Sequence, residues 1–508
     1  MLFNSFTFVF EFLPLTLLIF HGMGRNFGRQ PAFIALFLCS VFFYGWRLPQ
    51  YIPILIFTIC FTWFTAAMMI RHHSLRHQLL WMGVAGNLSL LIFFKYTNFI
   101  LDNLAFAVPI EFRVPYVLPP GISFFVFQKI AYLVDVARQD DVHETNFWNF
   151  GLFVAFFPQL VAGPIVHYGE IMPQFYQPRK FPDFNHITVG LIIFILGLFK
   201  KLIVADSLAE VADPIFALVD RGGPDPGFLL SWTGALAFTF QLYFDFSGYS
   251  DMAIGLALCF SIRLPLNFWS PYKARNIIEF WKCWHVTLSR FLQNYLYIPL
   301  GGNRHGPWRR YRNLMLTMLL GGLWHGAGWN FVFWGFLHGL YLTINHGWRH
   351  WRGSRVEFRF GGHVSRLLTF LCVVVAWVFF RAKTFSGAKT LLGGMFSWPT
   401  LFPDKFNGVA AENFLLAMGQ SFPGGDPGHL WYLPAFMVLL YGITLMAPNT
   451  MQILGWERTA WSLDTTRFLE IPPVRNMLTP ARKLILMIVS LLVGMQLYRP
   501  QVFLYFQF

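Results

Sequence analysis

Long apolar runs, separated by short polar or basic stretches, recur from one end of the chain to the other. A hydrocarbon core about 30 Å thick takes roughly 20 apolar residues per helix. Runs of that kind cover residues 5–21, 31–47, 50–70, 79–101, 116–134, 150–166, 187–205, 228–247, 251–266, 314–346, 366–380, 431–447 and 483–498. Several are short or interrupted, so the pattern predicts an all-α, polytopic membrane protein with about ten to thirteen membrane segments, some of them broken or re-entrant. The first run carries Glu11, has no basic stretch ahead of it and lacks a small-residue cleavage site, which reads as a retained membrane segment.

Three stretches depart from this pattern. Residues 277–292, IIEFWKCWHVTLSRFL, space Phe280, Trp284 and Leu288 four apart and place Lys282, His285, Ser289 and Arg290 between them, which predicts an amphipathic helix in the headgroup region. Residues 400–430 are rich in Pro, Gly and Asp, and residues 455–480 are polar with Pro clusters, so both read as loops. With no fixed-period repeat and no inverted duplication, the chain reads as a single membrane domain over residues 1–508.

Composition strengthens the membrane reading. Of 508 residues, 56% are hydrophobic and only 12% charged, against about 25% charged in an average soluble protein. The net charge of +14 would suit nucleic acid in a soluble protein, but the basic residues fall between the runs, where the positive-inside rule accounts for them. The loops holding Arg25 with Arg29 and Arg71 with Arg76 are then cytoplasmic, as is the segment 273–312, with eight Lys or Arg against Glu279. The five cysteines are scattered with no CxxC pair, so neither a disulfide framework nor a metal site is expected.

The candidate chemistry is sparse. HExxH, GxSxG, Walker A and GxGxxG motifs are absent, which removes the usual support for hydrolase, nucleotide and metal readings. What stands out is His325 in GGLWHGAGWN, residues 321–330, inside the 33-residue apolar run 314–346. At 1.5 Å per residue it lies about 18 Å beyond Asn313, near the middle of the bilayer. The surrounding Gly321, Gly322, Gly326 and Gly328 predict a broken or closely packed helix there. An intramembrane ionisable group marks a functional site by default, while helix packing is the alternative for His325 and the preferred reading for His338, placed on nearly the opposite helical face.

A second polar constellation, QLYFDFSGYSDMA at residues 241–253, sits at the junction of two spans, with Gly248 allowing a bend. It offers Tyr243, Asp245, Ser247 and Asp251, which either serve a site or satisfy a helix break. His285 reads either as a solvated interfacial residue or as one facing a buried route to His325.

FWKCWHVTLSRFLQNYLYIPLGGNRHG, followed by RNLMLTMLLGGLWHGAGWNFVFWGFLHG, closely resembles the membrane-bound O-acyltransferase superfamily, in particular its bacterial branch serving alginate O-acetylation. LPPGISFFVFQKIAYLVDV, FFPQLVAGPI, QLYFDFSGYSDMAIG and the terminal FLYFQF extend the likeness along most of the chain. The resemblance implies a helical fold around a funnel or tunnel, a cytoplasmic acyl thioester such as acetyl-CoA as donor, and export of the acyl group. It maps the catalytic histidine onto His325 and the second characteristic histidine onto His285, with Thr287 where the motif has serine. Trp324, Trp329, Asn330, Tyr243, Asp245, Ser247 and Asp251 are then candidates for lining the substrate path. Tyr505 is a candidate acyl carrier, and a separate periplasmic, serine-hydrolase-like transferase would be the partner that modifies an exported polysaccharide such as alginate or cellulose. The competing readings are a proton-coupled transporter built on the midplane histidine, a scaffold of a secretion complex, and transfer of D-alanyl or another acyl group to an envelope polymer.

Overall fold

A computed structural model of the chain describes residues 1–105, 113, 115, 117–138, 144–178, 180–352, 361–397, 432–456, 480–497 and 503–504. The loop read at 400–430, nearly all of that read at 455–480, and Tyr505 lie outside the described residues. Among the described residues the chain is helical and holds no strand. Phe8–Phe27, Pro49–Arg71, His73–Leu104, Phe184–Asp220 and Gly361–Arg381 are long and apolar enough to cross a membrane, and Arg29–Gly45, Ala435–Met446 and Ile485–Gln496 are shorter apolar helices. The all-α, polytopic membrane class follows from these lengths.

The described residues group into two compact units. The first holds residues 1–199, 248–267 and 450–508. Its helices include α1 (Leu13–Phe27), α2 (Arg29–Gly45), α3 (Ile52–Arg71), α4 (Arg76–Leu91), α5 (Ile122–Arg138), α6 (Phe147–Ala155), α7 (Tyr168–Tyr176) and α8 (Phe184–Phe199). Phe8, Phe12, Phe43 and Phe157 form a buried aromatic core, with ring centroids 5.3–6.1 Å apart for the pairs in contact. Gly190 and Gly255 face each other so closely that a methyl group on either would meet the other's carbonyl oxygen. Small residues thus let two helix backbones touch, the usual device where lipid offers no hydrophobic drive.

The second unit holds residues 200–247 and 268–449. It contains α9 (Asp206–Asp220), the portion up to Ser247 of α10 (Phe228–Cys259), α11 (Ile277–Trp281), α12 (Val286–Leu292), α13 (Gly306–His325), α14 (Trp329–Arg352), α15 (Gly361–Arg381), α16 (Phe385–Phe396) and α17 (Tyr432–Met446).

Two features differ from the sequence pattern, and a third gives form to the break it predicts. First, the spans at 228–247 and 251–266 are not separate, since α10 continues through Gly248 as one helix to Cys259. The close approach is at Gly197 of α8, where a methyl would lie 2.7 Å from the Gly248 carbonyl oxygen. Second, residues 277–292 are not one amphipathic helix on a surface. They form α11 and α12, separated by residues 282–285, and Phe280, Trp284, Leu288 and Arg290 are all buried. Third, the run 314–346 is a helical hairpin, α13 and α14, turning at Gly326, Ala327 and Gly328. Gly326 is extended, with φ −158° and ψ 148°, which ends α13 directly after His325. The arms are sealed by a glycine seam, because a methyl on Gly322 would collide with the Phe331 carbonyl and one on Gly335 with that of Met318.

Candidate active site

His325 is the last residue of α13 and is 7% exposed. The turn that follows is anchored by Asn330, whose Nδ2 donates to the Ala382 carbonyl at 2.7 Å. Aromatic rings enclose the imidazole, with centroid distances of 4.9 Å to Trp324, 5.1 Å to Trp334 and 5.3 Å to Phe380. Such walls exclude water, which protects an acyl group from hydrolysis.

His285 reaches the same place by a different route. It precedes α12 with φ 43° and ψ 53°, in the left-handed region. For a residue with a Cβ that conformation costs about 1–2 kcal/mol, and it persists only where the surroundings hold it. Here Phe246 stands edge-on to the ring at 4.8 Å, and Trp284, the preceding residue, packs on Trp377 at 4.9 Å. The turn leaves His285 fully buried, its ring centroid 6.4 Å from that of His325 and 6.2 Å from that of Trp324. Two imidazoles from different elements therefore share one buried, aromatic-walled space.

The remaining candidates divide. Trp324 is buried beside His325 and Asn330 is buried against Ala382, whereas Trp329 at the start of α14 is 62% exposed. Tyr243 is buried and extends the aromatic wall, 5.2 Å from Tyr272 and 6.4 Å from Trp284. Asp245 is taken by an ion pair: Lys201 Nζ lies 2.7 Å from Asp245 Oδ1 and 2.7 Å from Asp206 Oδ1. Ser247 is buried, its hydroxyl lacking a hydrogen-bond partner among the described residues. Asp251 belongs to the first unit, where Thr450 Oγ1 donates to its Oδ2 at 2.6 Å.

Sequence reasoning missed Lys201 and Trp334, and read His338 as a packing residue. A lysine closing the apolar run 187–205 was the available signal for the first. His338 lies one turn along α14 from Trp334, with ring centroids 4.7 Å apart, and Trp334 in turn packs on His325.

The profile of the MBOAT, membrane-bound O-acyltransferase family, matches residues 38–385, which include both histidines of this space. The chain belongs to that family. Peptidoglycan O-acetyltransferase of Helicobacter pylori is 42% identical over 425 residues, covering 78% of this chain and 80% of that protein. A probable alginate O-acetylase of Pseudomonas putida is 40% identical over 408 residues, covering 78% and 81%. Teichoic acid D-alanyltransferase of Lacticaseibacillus rhamnosus is more distant, 26% identical over 258 residues, covering 47% of this chain and 61% of that protein. The protein is thus a multi-pass membrane enzyme, an O-acyltransferase.

Proposed function

We propose that this acyltransferase takes acetyl from a cytoplasmic thioester, acetyl-CoA being the simplest, and delivers it across a bacterial inner membrane for O-acetylation of an exported polysaccharide. The observation that carries this reading is the pair of buried imidazoles, His325 and His285, 6.4 Å apart in an aromatic-walled space. The acetyl group is favoured because the relatives at 42% and 40% identity are named for O-acetylation, of peptidoglycan and of alginate. Cytoplasmic entry rests on the basic segment 273–312 that leads into α13.

In this reading neutral His325 accepts the proton of an acceptor hydroxyl as the oxygen attacks the thioester carbonyl. The C–O bond forms, the C–S bond breaks, and the thiolate takes the proton back from the imidazolium. His285 holds the second polar position, orienting the donor or the acceptor. Transfer to the polymer itself falls to a periplasmic transferase, the partner that the family resemblance implies.

The test is His325→Ala, with membrane abundance verified and ester-linked acetate measured on the secreted polymer. Acetate is expected to fall by about 10²-fold or more. Acetate at the wild-type level in an equally abundant variant would overturn the reading.

A further inference from the structure

Two buried N–H groups, one on Trp334 beside His325 and one on His338 next to Trp334, have no hydrogen-bond partner among the described residues. His338 on α14 is fully buried, and Trp281 Nε1 donates to its Nδ1 at 3.3 Å. An indole nitrogen only donates, so Nδ1 is the acceptor and the ring proton resides on Nε2. His338 Nε2 has no hydrogen-bond partner among the described residues. One helical turn earlier, Trp334 is 1% exposed and its Nε1–H is likewise unpartnered. Trp334 touches both histidine rings, at 5.1 Å from His325 and 4.7 Å from His338.

The neighbouring rings explain why none of the described residues satisfies these donors. Phe280 stacks on His338 at 6.1 Å, Trp377 stacks on Trp334 at 5.6 Å, and Phe380 stands edge-on to Trp334 at 5.3 Å. A phenylalanine at position 338 would pack in such surroundings without leaving a polar atom unpaired. Imidazole and indole N–H groups in water-excluded surroundings are costly unless something with an oxygen lone pair meets them.

We propose that His338 Nε2–H and Trp334 Nε1–H receive the carbonyl oxygen of the acyl thioester and hold it as it becomes an oxyanion. The inference rests on the reading of His325 as the acyl-transfer centre. When the acceptor oxygen, losing its proton to His325, bonds to the carbonyl carbon, the C=O π pair moves onto oxygen. The resulting tetrahedral oxyanion accepts hydrogen bonds from the two N–H groups. The pair then returns, the C–S bond breaks, and the thiolate takes the proton from His325. From the imidazole nitrogen to the acceptor oxygen, on to the carbonyl carbon, and from the carbonyl oxygen to a donor, each non-bonded link is about 3 Å and the C=O bond about 1.2 Å. Donors one ring removed from His325 fall within that reach. Trp281 is a positioning residue, since its indole N–H keeps the His338 proton on Nε2.

The experiment uses the full chain in proteoliposomes and follows release of free thiol from acetyl-CoA. Wild type against His325→Ala comes first: equal release would sink the acyl-transfer reading itself, and this inference with it. The test proper replaces Trp334 by its benzothiophene analogue, which keeps the outline and puts sulfur in place of N–H, and makes His338→Phe and His338→Gln. The analogue and His338→Phe are expected to lower kcat by about 10²–10³-fold each, with KM for acetyl-CoA within about twofold of wild type. His338→Gln, which restores an N–H donor, is expected to recover about tenfold over His338→Phe. Unchanged kcat in the analogue and in His338→Phe at wild-type abundance would overturn the proposal. So would a glutamine variant no better than phenylalanine.

Discussion

His285 and His325 have ring centroids 6.4 Å apart, although one precedes a short helix in a left-handed conformation and the other ends a long one. The juxtaposition depends on two backbone features: the left-handed turn at His285 and the extended break at Gly326. If the pair acts in acyl transfer, the chemistry is sensitive to both backbones as well as to both rings.

His285→Gly separates these contributions. Glycine relieves a left-handed penalty of about 1–2 kcal/mol while removing the imidazole. It is expected to unfold at a higher temperature in detergent than His285→Ala, with both variants losing about 10²-fold or more in acyl transfer. Full transfer in either variant would show that the ring has no role in the reaction.

Lys201→Met should be far more damaging than its size suggests. It leaves Asp245 and Asp206 as buried carboxylates without their shared cation, a change that typically costs about 3–5 kcal/mol. Membrane abundance and the thermal midpoint in detergent are expected to fall sharply. A triple variant with Asp206→Asn and Asp245→Asn should recover part of the loss.

The glycine seam of the hairpin gives a graded prediction. Gly335→Ala sets a methyl against the Met318 carbonyl, whereas at Gly328 the nearest atom, on Phe331, is 3.6 Å away. Gly335→Ala is expected to lose about 1–3 kcal/mol through overpacking and to reduce acyl transfer, and Gly328→Ala to be tolerated. Abundance and polymer acetate read both outcomes.

Asp251 is expected to act in folding alone. Thr450→Val removes a hydrogen bond to a buried carboxylate, which is worth about 1.5–3 kcal/mol. It should lower thermal stability while acetate per enzyme molecule stays at the wild-type level. A fall in acetate per molecule would return Asp251 to the list of reacting groups.

The membrane class could be read directly from the chain because a span needs only length and hydropathy. His325 was visible for a related reason, since a titratable ring stands out in an apolar run. The Lys201–Asp245 pair could not be seen, because its members are 44 positions apart on different helices and no periodicity links them. The left-handed turn at His285 was hidden as well, since histidine, unlike glycine, does not announce a positive φ. His338 could be named from the run 314–346, but its contact with Trp281 could not, since that residue is 57 positions away on another helix.

The seam between α13 and α14 also bears on how this protein can change over generations. Where a backbone carbonyl fills the space that a first side-chain carbon would need, as at Gly322 and Gly335, single substitutions have nowhere to go, and drift in the hairpin is channelled to its outward faces. Lineages that adopt new acceptors would then keep the hairpin and diversify around it.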